Sequence, residues 1–225
     1  MPKGTKRKRA ASTTYRRRLY KPVVSTSSTL TRQHRILNTT QNVVLRYSDR
    51  RLITAGAAGT AAGYVFNCNG LYDVNHTGVG TQPRGFDQLM TMYDHYYVTE
   101  AVCEVWFCNA VSAPLIGSIV VRDGTSLDLT YQDVLEDAYA THTTIKPNDS
   151  EQNGYARFCV NVPKFLGRPM KDDVLVGGAT TNPAEQAHFH IYLNTVDSTI
   201  TPAAYFIVKI TFNTTLIEPK QPVAS

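Results

Sequence analysis

Apolar and polar residues alternate along several segments of the chain, and this alternation predicts β-strands. Successive side chains of a strand point to opposite faces, so a period of two marks a strand with one buried face. The alternation is clearest in residues 97–107, 155–162, 187–194 and 205–216. Weaker alternation predicts four more strands, in residues 42–54, 63–68, 115–122 and 141–146.

Two short segments follow a helical spacing instead. Phe86, Leu89, Met90 and Tyr93 predict a one- or two-turn helix, and Thr130 followed by Asp133 marks the start of a second one, which runs to Ala138. No β-α-β rhythm is present, which disfavours a parallel sheet. The predicted fold is therefore all-β, an eight-stranded antiparallel jelly-roll sandwich with one or two short inserted helices.

The segments between the predicted strands are rich in turn-forming residues, and several exceed the length of ordinary hairpin loops. Long loops on a β framework commonly carry contacts or function. Residues 67–85 and 164–183 are the candidates for outward exposure. An immunoglobulin sandwich fits less well, because Trp106 lies between two cysteines that are only five residues apart, Cys103 and Cys108.

Charge divides the chain into two unlike parts. Up to Ser48 the sequence has twelve basic residues and no acidic one, whereas from Asp49 onward it has eleven basic and eighteen acidic residues. We therefore predict a flexible, disordered basic arm and tether in residues 1–40 and a folded jelly-roll domain in residues 41–225.

The arm predicts a polyanionic partner. Lys and Arg that meet phosphates release condensed counterions, so the arm is expected to bind nucleic acid strongly and without sequence preference. Tyr15 and Tyr20 flank the arginine triplet and could stack on unpaired bases. The predicted nucleic-acid-binding residues are Lys3, Lys6, Arg7, Lys8, Arg9, Arg16, Arg17, Arg18 and Lys21.

The same arm has a second interpretation. The run Lys6, Arg7, Lys8 and Arg9 would serve as a nuclear localisation signal recognised by a nuclear import receptor. Import alone, import together with genome binding, and a solvated tail all remain open. The chain has no long apolar run and no secretory leader pattern, so we expect neither secretion nor membrane insertion.

One stretch resembles a known family. Residues 83–98, Pro-Arg-Gly-Phe-Asp-Gln-Leu-Met-Thr-Met-Tyr-Asp-His-Tyr-Tyr-Val, lead into the predicted strand 101–107. With the basic arm and the Ser/Thr-rich tether, this stretch resembles the capsid proteins of small circular single-stranded DNA viruses, the circovirus-like group. The sequence departs from that group in its shorter arm and in Glu100 and Glu104, which replace basic residues.

The resemblance implies a coat protein that self-assembles into a small icosahedral shell. It further implies packaging of a single-stranded DNA genome through the arm, localisation in the virion and in the host nucleus during assembly, and recognition of a host surface receptor. Coat proteins of small RNA viruses and satellites share the layout, so the layout alone does not separate DNA from RNA.

Few residues point to catalysis or to metal binding. His188 and His190 share one face of a predicted strand and could ligate a metal, but no third ligand is evident, and a polar outer or subunit-contact face is the favoured interpretation. Asp172 and Asp173 could hold a divalent cation between subunits or form a solvated turn. The glycine-rich segment 56–63 lacks the lysine and spacing of a phosphate loop. We expect no enzyme activity, no cofactor and no metal.

Two other classes of protein remain open at this stage. A non-viral nucleic-acid-binding β-sandwich protein with a basic tail would need a basic face with aromatic residues on its folded body. A secreted lectin-like or cupin-like sandwich would use the histidine pair but would leave the arm unexplained. The absence of any Cys-x-x-Cys pair disfavours a structural zinc site.

Overall fold

The computed structural model describes residues 37–78, 81–127, 130–147 and 154–221. Each of the eight predicted strands is present, and the main differences lie in length: the strands at 97–107 and 205–216 extend further at both ends. The described residues contain nine strands: β1 (Thr40–Thr54), β2 (Ala62–Asn67), β3 (Tyr93–Asn109), β4 (Leu115–Arg122), β5 (Ala140–Ile145), β6 (Gly154–Asn161), β7 (Gly177–Gly178), β8 (His188–Thr195) and β9 (Ala203–Pro219).

The strands form two antiparallel sheets. Sheet A has the order β1-β9-β3-β6, with the two-residue β7 paired to the start of β3, and sheet B has the order β2-β8-β4-β5. The pairs β1/β9, β2/β8, β3/β6 and β4/β5 are nested, as if one long hairpin had been wrapped round on itself. This wrapped pairing defines a jelly roll, so the predicted fold class is confirmed.

The core lies between the two sheets and is built from the apolar sides of the alternating strands. Phe206, Val208, Ile210 and Phe212 of β9 are all buried in it, as the alternation predicts. The sheets approach closely at Gly117 of β4, where a Cβ atom would lie 2.6 Å from the Phe107 ring of β3. A side chain at position 117 would therefore force that ring to move.

Short helices interrupt the strand pattern. Helix α1 (Phe86–Met90) follows Gly85, which has a φ of 88°, and it buries Phe86 and Met90. It ends before Tyr93, which the helical spacing had included, because Tyr93 pairs with Pro219 as the first residue of β3. Tertiary pairing thus overrides the local helical pattern.

Helix α2 (Tyr131–Glu136) begins after Thr130, whose hydroxyl donates to the Asp133 carboxylate, so the predicted start is confirmed. A third helix, α3 (Val162–Phe165), was not predicted. It follows β6 directly, with Pro163 in its first turn and the Asn161 side chain accepting a hydrogen bond from the Lys164 N–H at 3.0 Å.

The paired tyrosines in the stretch that resembles the circovirus-like group are both buried. The Tyr96 hydroxyl accepts a hydrogen bond from the Leu71 N–H at 2.9 Å, so it ties the long segment after β2 to β3. Its ring also packs on β7, where a Cβ atom on Gly177 would lie 2.6 Å from the Tyr96 hydroxyl. Tyr96 therefore acts as an anchor for loops around the start of β3.

No helix among the described residues has both the length and the apolar character needed to cross a bilayer.

Candidate functional surfaces

The outer side of sheet A is a broad surface of partly or fully exposed side chains. Every second residue of β1, β9, β3 and β6 points away from the core, and we call this surface the sheet A face. It consists of Val44, Arg46, Ser48, Arg50, Leu52, Tyr205, Ile207, Lys209, Thr211, Asn213, Glu100, Val102, Glu104, Trp106, Cys108, Tyr155, Arg157, Cys159 and Asn161.

Strand register places the side chains of this face in rows. One row runs across the sheet through Arg50, Ile207, Trp106 and Tyr155. The rings of Trp106 and Tyr155 lie side by side, with centroids 5.3 Å apart and planes inclined at 45°. Because the planes are tilted, neither ring covers the other in a parallel stack.

The next row places basic side chains around one carboxylate. It runs through Ser48, Lys209, Glu104 and Arg157. Glu104 lies 3.1 Å from the Lys209 ammonium and accepts a hydrogen bond from the Tyr155 hydroxyl at 3.0 Å. Partial burial alone would raise the pKa of Glu104, but the bonds from Lys209 and Tyr155 outweigh it and lower that pKa. Glu104 is therefore ionised and its charge is compensated locally.

The charge of the sheet A face differs from that of the rest of the folded body. From residue 37 onward the sequence has twelve basic and eighteen acidic residues. The face has four basic residues, Arg46, Arg50, Arg157 and Lys209, and only two acidic ones, Glu100 and Glu104. It is thus net positive on a net-negative body.

One end of the face is also apolar. Leu52, Tyr205 and Ile207 are each about half exposed, at 52%, 54% and 49%. An exposed apolar patch beside basic residues is typical of an interaction surface rather than of a plain solvated face.

The outer side of sheet B is covered over β8, unlike the sheet A face, while His142 and Thr144 of the edge strand β5 stay exposed. Every residue of β8 is buried, including the polar ones that alternate with its core residues. Helix α2 closes over this side with Val134, which packs with Tyr192, Val120 and Ala61 in a small second cluster. The interpretation of His188 and His190 as part of an outer polar face is therefore wrong, because loops and α2 cover them.

The histidines beneath this cover hold the loops in place. Nε2 of His190 donates to the Gly124 carbonyl at 2.8 Å, and its ring stacks on Tyr192 with centroids 5.9 Å apart. His188 lies edge-on to the ring of His76 at 5.5 Å, and its Nδ1 has no hydrogen-bond partner among the described residues. Burial, with His76 and His190 nearby, lowers the pKa of His188 to about 4.

The metal-binding candidates do not assemble into a site. Among the described residues no group of three or more His, Cys, Asp or Glu side chains is placed to hold a metal ion. The Asp172 carboxylate instead accepts a hydrogen bond from the Val174 N–H at 3.2 Å and caps a short turn of 3-10 helix. Two of the four cysteines are buried (Cys68 and Cys103) and two are exposed (Cys108 and Cys159).

The glycine-rich segment 56–63 forms a turn of the framework. Gly59 has a φ of 70°, and its N–H donates to the Ile200 carbonyl at 3.0 Å. A Cβ atom at Gly59 would lie 2.9 Å from the Ser198 carbonyl oxygen, so the glycine allows two loops to approach each other.

All of the predicted nucleic-acid-binding residues and the predicted import signal lie outside the described residues. The surface that sequence reasoning missed is the sheet A face. In the sequence, Glu100 and Glu104 give the strand at 101–107 an acidic character that disfavours a nucleic-acid contact. The partner of Glu104, Lys209, lies on another strand far away in sequence, so only the folded register shows the compensation.

Neither a protein-family model nor any curated protein sequence matches the chain. Among solved structures it is similar to the BFDV capsid protein in its 60-mer form, at 12% identity over 84% of this chain and 100% of that one, with a TM-score of 0.46. It is similar to Desmodium yellow mottle tymovirus, at 12% identity over 85% of this chain and 95% of that one, with a TM-score of 0.42. It is also similar to the semi-empty virus-like particle of Macrobrachium rosenbergii nodavirus, at 9% identity over 83% of this chain and 100% of that one, with a TM-score of 0.40. Because the identities are low and the TM-scores are below 0.5, the fold assignment rests on the strand order of this chain.

Proposed function

We propose that this chain is the coat subunit of a small icosahedral virus, which assembles with copies of itself and packages a single-stranded genome through its basic arm. The observation that carries the proposal is the joining of a nested eight-strand jelly roll to a segment that has nine basic and no acidic residues in its first 22 positions. The jelly-roll body supplies contacts between subunits, and closed symmetry multiplies each weak contact many times.

The charge separation supports this division of roles. A net-negative body repels both its copies and free nucleic acid, whereas the arm attracts phosphate. Genome binding by the arms therefore offsets the repulsion between the bodies. Assembly should consequently respond to salt and to nucleic acid together.

The test is negative-stain electron microscopy of the purified chain. The ratio of its ultraviolet absorbance at the nucleic-acid maximum to that at the protein maximum reports bound nucleic acid. Both measurements are run beside a deletion of residues 1–40 and a matched variant in which all nine basic residues of positions 1–22 become Gln. We expect closed, uniform particles with nuclease-protected nucleic acid only for the intact arm. Packaging by the Gln variant at the level of the intact chain would overturn the electrostatic role of the arm.

We further propose that the genome is single-stranded DNA and that Lys6, Arg7, Lys8 and Arg9 direct the chain to the host nucleus. Digestion of nucleic acid extracted from native virions by DNase or by RNase decides the first point. For the second, a fluorescent fusion with these four residues changed to Ala should lose nuclear accumulation, while Ala at Arg16, Arg17 and Arg18 should not abolish it. A host surface receptor completes the proposed partners, with loops 67–85 and 164–183 as its contact candidates.

A non-viral nucleic-acid-binding β-sandwich protein with a basic tail remains a second candidate. The basic, aromatic sheet A face favours it, because that class needs such a face on the folded body. The microscopy separates the two proposals, since this candidate gives a small monodisperse species that binds nucleic acid without forming closed particles.

A further inference from the structure

We propose that the sheet A face is a second nucleic-acid contact, in which unpaired bases stack on Trp106 and Tyr155 while Arg50, Arg157 and Lys209 meet the phosphates. The inference deepens the proposed function and rests on it. It assigns nucleic-acid binding, which the sequence predicts only for the arm, to the folded body as well. The ligand is single-stranded nucleic acid.

The aromatic pair supplies the stacking surface. Trp106 is partly exposed and Tyr155 is 45% exposed, and their rings lie beside each other at the outward side of β3 and β6. Aromatic side chains in a positively charged groove are the usual platform for single strands, because every base has a flat face. A duplex keeps its bases stacked inside and would not use such a pair.

The basic residues lie where a strand that stacks on this pair would bring its phosphates. Arg50 belongs to the same row as Trp106 and Tyr155, and Arg157 and Lys209 belong to the next row. Two residues along a strand span about 7 Å, so the two rows are close neighbours. Charge complementarity therefore selects a polyanion as the occupant, and the rings select one with exposed bases.

Glu104 acts as a positioning residue in this arrangement. Its carboxylate accepts from the Tyr155 hydroxyl and pairs with the Lys209 ammonium, so it orients one stacking ring and one phosphate contact together. Its negative charge, which argued against binding when viewed in the sequence, is already compensated in the fold.

The chain offers a direct probe, because Trp106 is its only tryptophan. The full-length chain is titrated with short oligodeoxythymidine, oligouridine, a duplex of the same length and heparin, while Trp106 emission is recorded. Anisotropy of a labelled oligonucleotide reports total binding in parallel. Heparin carries the negative charge without any base, so it engages the arm and cannot stack.

We expect both single strands to quench Trp106 emission, with little quenching by heparin or by the duplex at equal occupancy. The relative strength of the thymidine and uridine oligomers shows whether the face prefers DNA or RNA. Arg157→Glu should weaken the quenching and raise the Kd about fivefold at moderate salt. Lys146→Glu is an equal charge reversal at the residue that follows β5, outside the sheet A face, and it should leave the quenching unchanged. In anisotropy, Trp106→Leu should raise the Kd about tenfold.

The possible failures are distinguishable. Tight binding by anisotropy with unchanged Trp106 emission, or equal quenching by heparin and single strands, overturns this inference and leaves the arm as the sole binder. Absence of binding to every polyanion overturns the proposed packaging function itself. Quenching that depends on protein concentration without any nucleic acid would show that a second copy of the chain occupies the face, which also overturns the inference.

Discussion

The two sheets of the jelly roll present opposite surfaces to their surroundings. The outer side of sheet A is open, basic and aromatic, whereas the outer side of sheet B is covered over β8 by α2 and by the loops that carry His76 and Gly124, with exposed side chains at its edge strand β5. Each sheet buries one apolar side in the core. The two sheets therefore differ in what covers the opposite, outer side.

Strands β8 and β9 show what this difference teaches. Both alternate apolar and polar residues, yet β9 is exposed on its polar side while β8 is buried on both sides. Alternation reports which side of a strand meets the core, and it carries no information about loops that return from distant parts of the chain. The polar side of a strand can thus form a binding surface, or it can be buried in a small second cluster beneath a covering segment.

The largest contrast between the two faces should appear when one tyrosine is removed from each. Tyr192→Ala empties the small cluster under α2 and should lower the free energy of unfolding by about 3 kcal/mol. Tyr205→Ala removes a ring that is 54% exposed and should cost less than about 1 kcal/mol. Urea unfolding of the two variants measures both values, and equal losses would contradict the covered state of sheet B.

Acid should weaken the covered face selectively. The pKa of His188 is about 4 in the folded protein and near 6.5 when unfolded, so the unfolded chain takes up a proton first as the pH falls. The contribution of neutral, buried His188 to the free energy of unfolding is complete above about pH 6.5. This contribution falls as the pH is lowered towards the folded pKa of about 4. Allowing for partial solvent screening, the free energy of unfolding falls by about 2 kcal/mol across this pH window.

Melting temperatures measured across this pH window test the histidine directly. His188→Gln should flatten the dependence on pH, whatever it does to the melting temperature at neutral pH. Tyr205→Ala, which leaves every histidine in place, serves as the control and should keep the slope of the unmodified chain. An unchanged slope in the His188 variant would show that other groups cause the acid sensitivity.

An ion pair on each face extends the comparison to charged residues. Arg122 and Asp137 lie 2.8 Å apart with both side chains mostly shielded, and they join β4 to the residue after α2. Arg122→Gln should cost about 1.5 kcal/mol. Lys209→Gln breaks the more exposed pair with Glu104 and should cost less than about 1 kcal/mol, as measured by the same urea unfolding.

The smallest expected effect sharpens the role of the open face. Glu104→Gln removes one negative charge from the sheet A face and should change the free energy of unfolding by less than about 0.5 kcal/mol. The added net charge should tighten oligodeoxythymidine binding about twofold, a gain that rising salt removes. The Gln amide oxygen can still accept the hydrogen bond from the Tyr155 hydroxyl, so the ring keeps its orientation, and weaker binding would contradict the electrostatic role of the face.

Much of the framework could be predicted from the sequence, because strand alternation is a local property. The segments at 97–107 and 205–216 and the helix start at Thr130 are examples. The helix predicted to reach Tyr93 stops at Met90, since the pairing of Tyr93 with Pro219 is a long-range contact. The unpredicted α3 is four residues long and depends on a single side-chain cap at Asn161.

The candidate surface was harder to predict than the fold. Each row of the sheet A face gathers residues from four strands that lie far apart in sequence, so neither the Trp106–Tyr155 pair nor the Glu104–Lys209 pair is a sequence motif. The burial of His188 and His190 escaped prediction for the same reason. The predictions for the arm remain untested by the described residues.

The nested strand pairing also sets an order in time. Strand β1 has β9 as its partner along its whole length, and β9 is the last strand of the described residues. While the chain is being synthesised, β1 must wait for nearly the whole body to emerge before its backbone hydrogen bonds can form. A fold dominated by such distant contacts forms slowly. The proposed basic arm precedes β1 in the sequence, so under the proposed function it can meet nucleic acid before the body can meet another subunit.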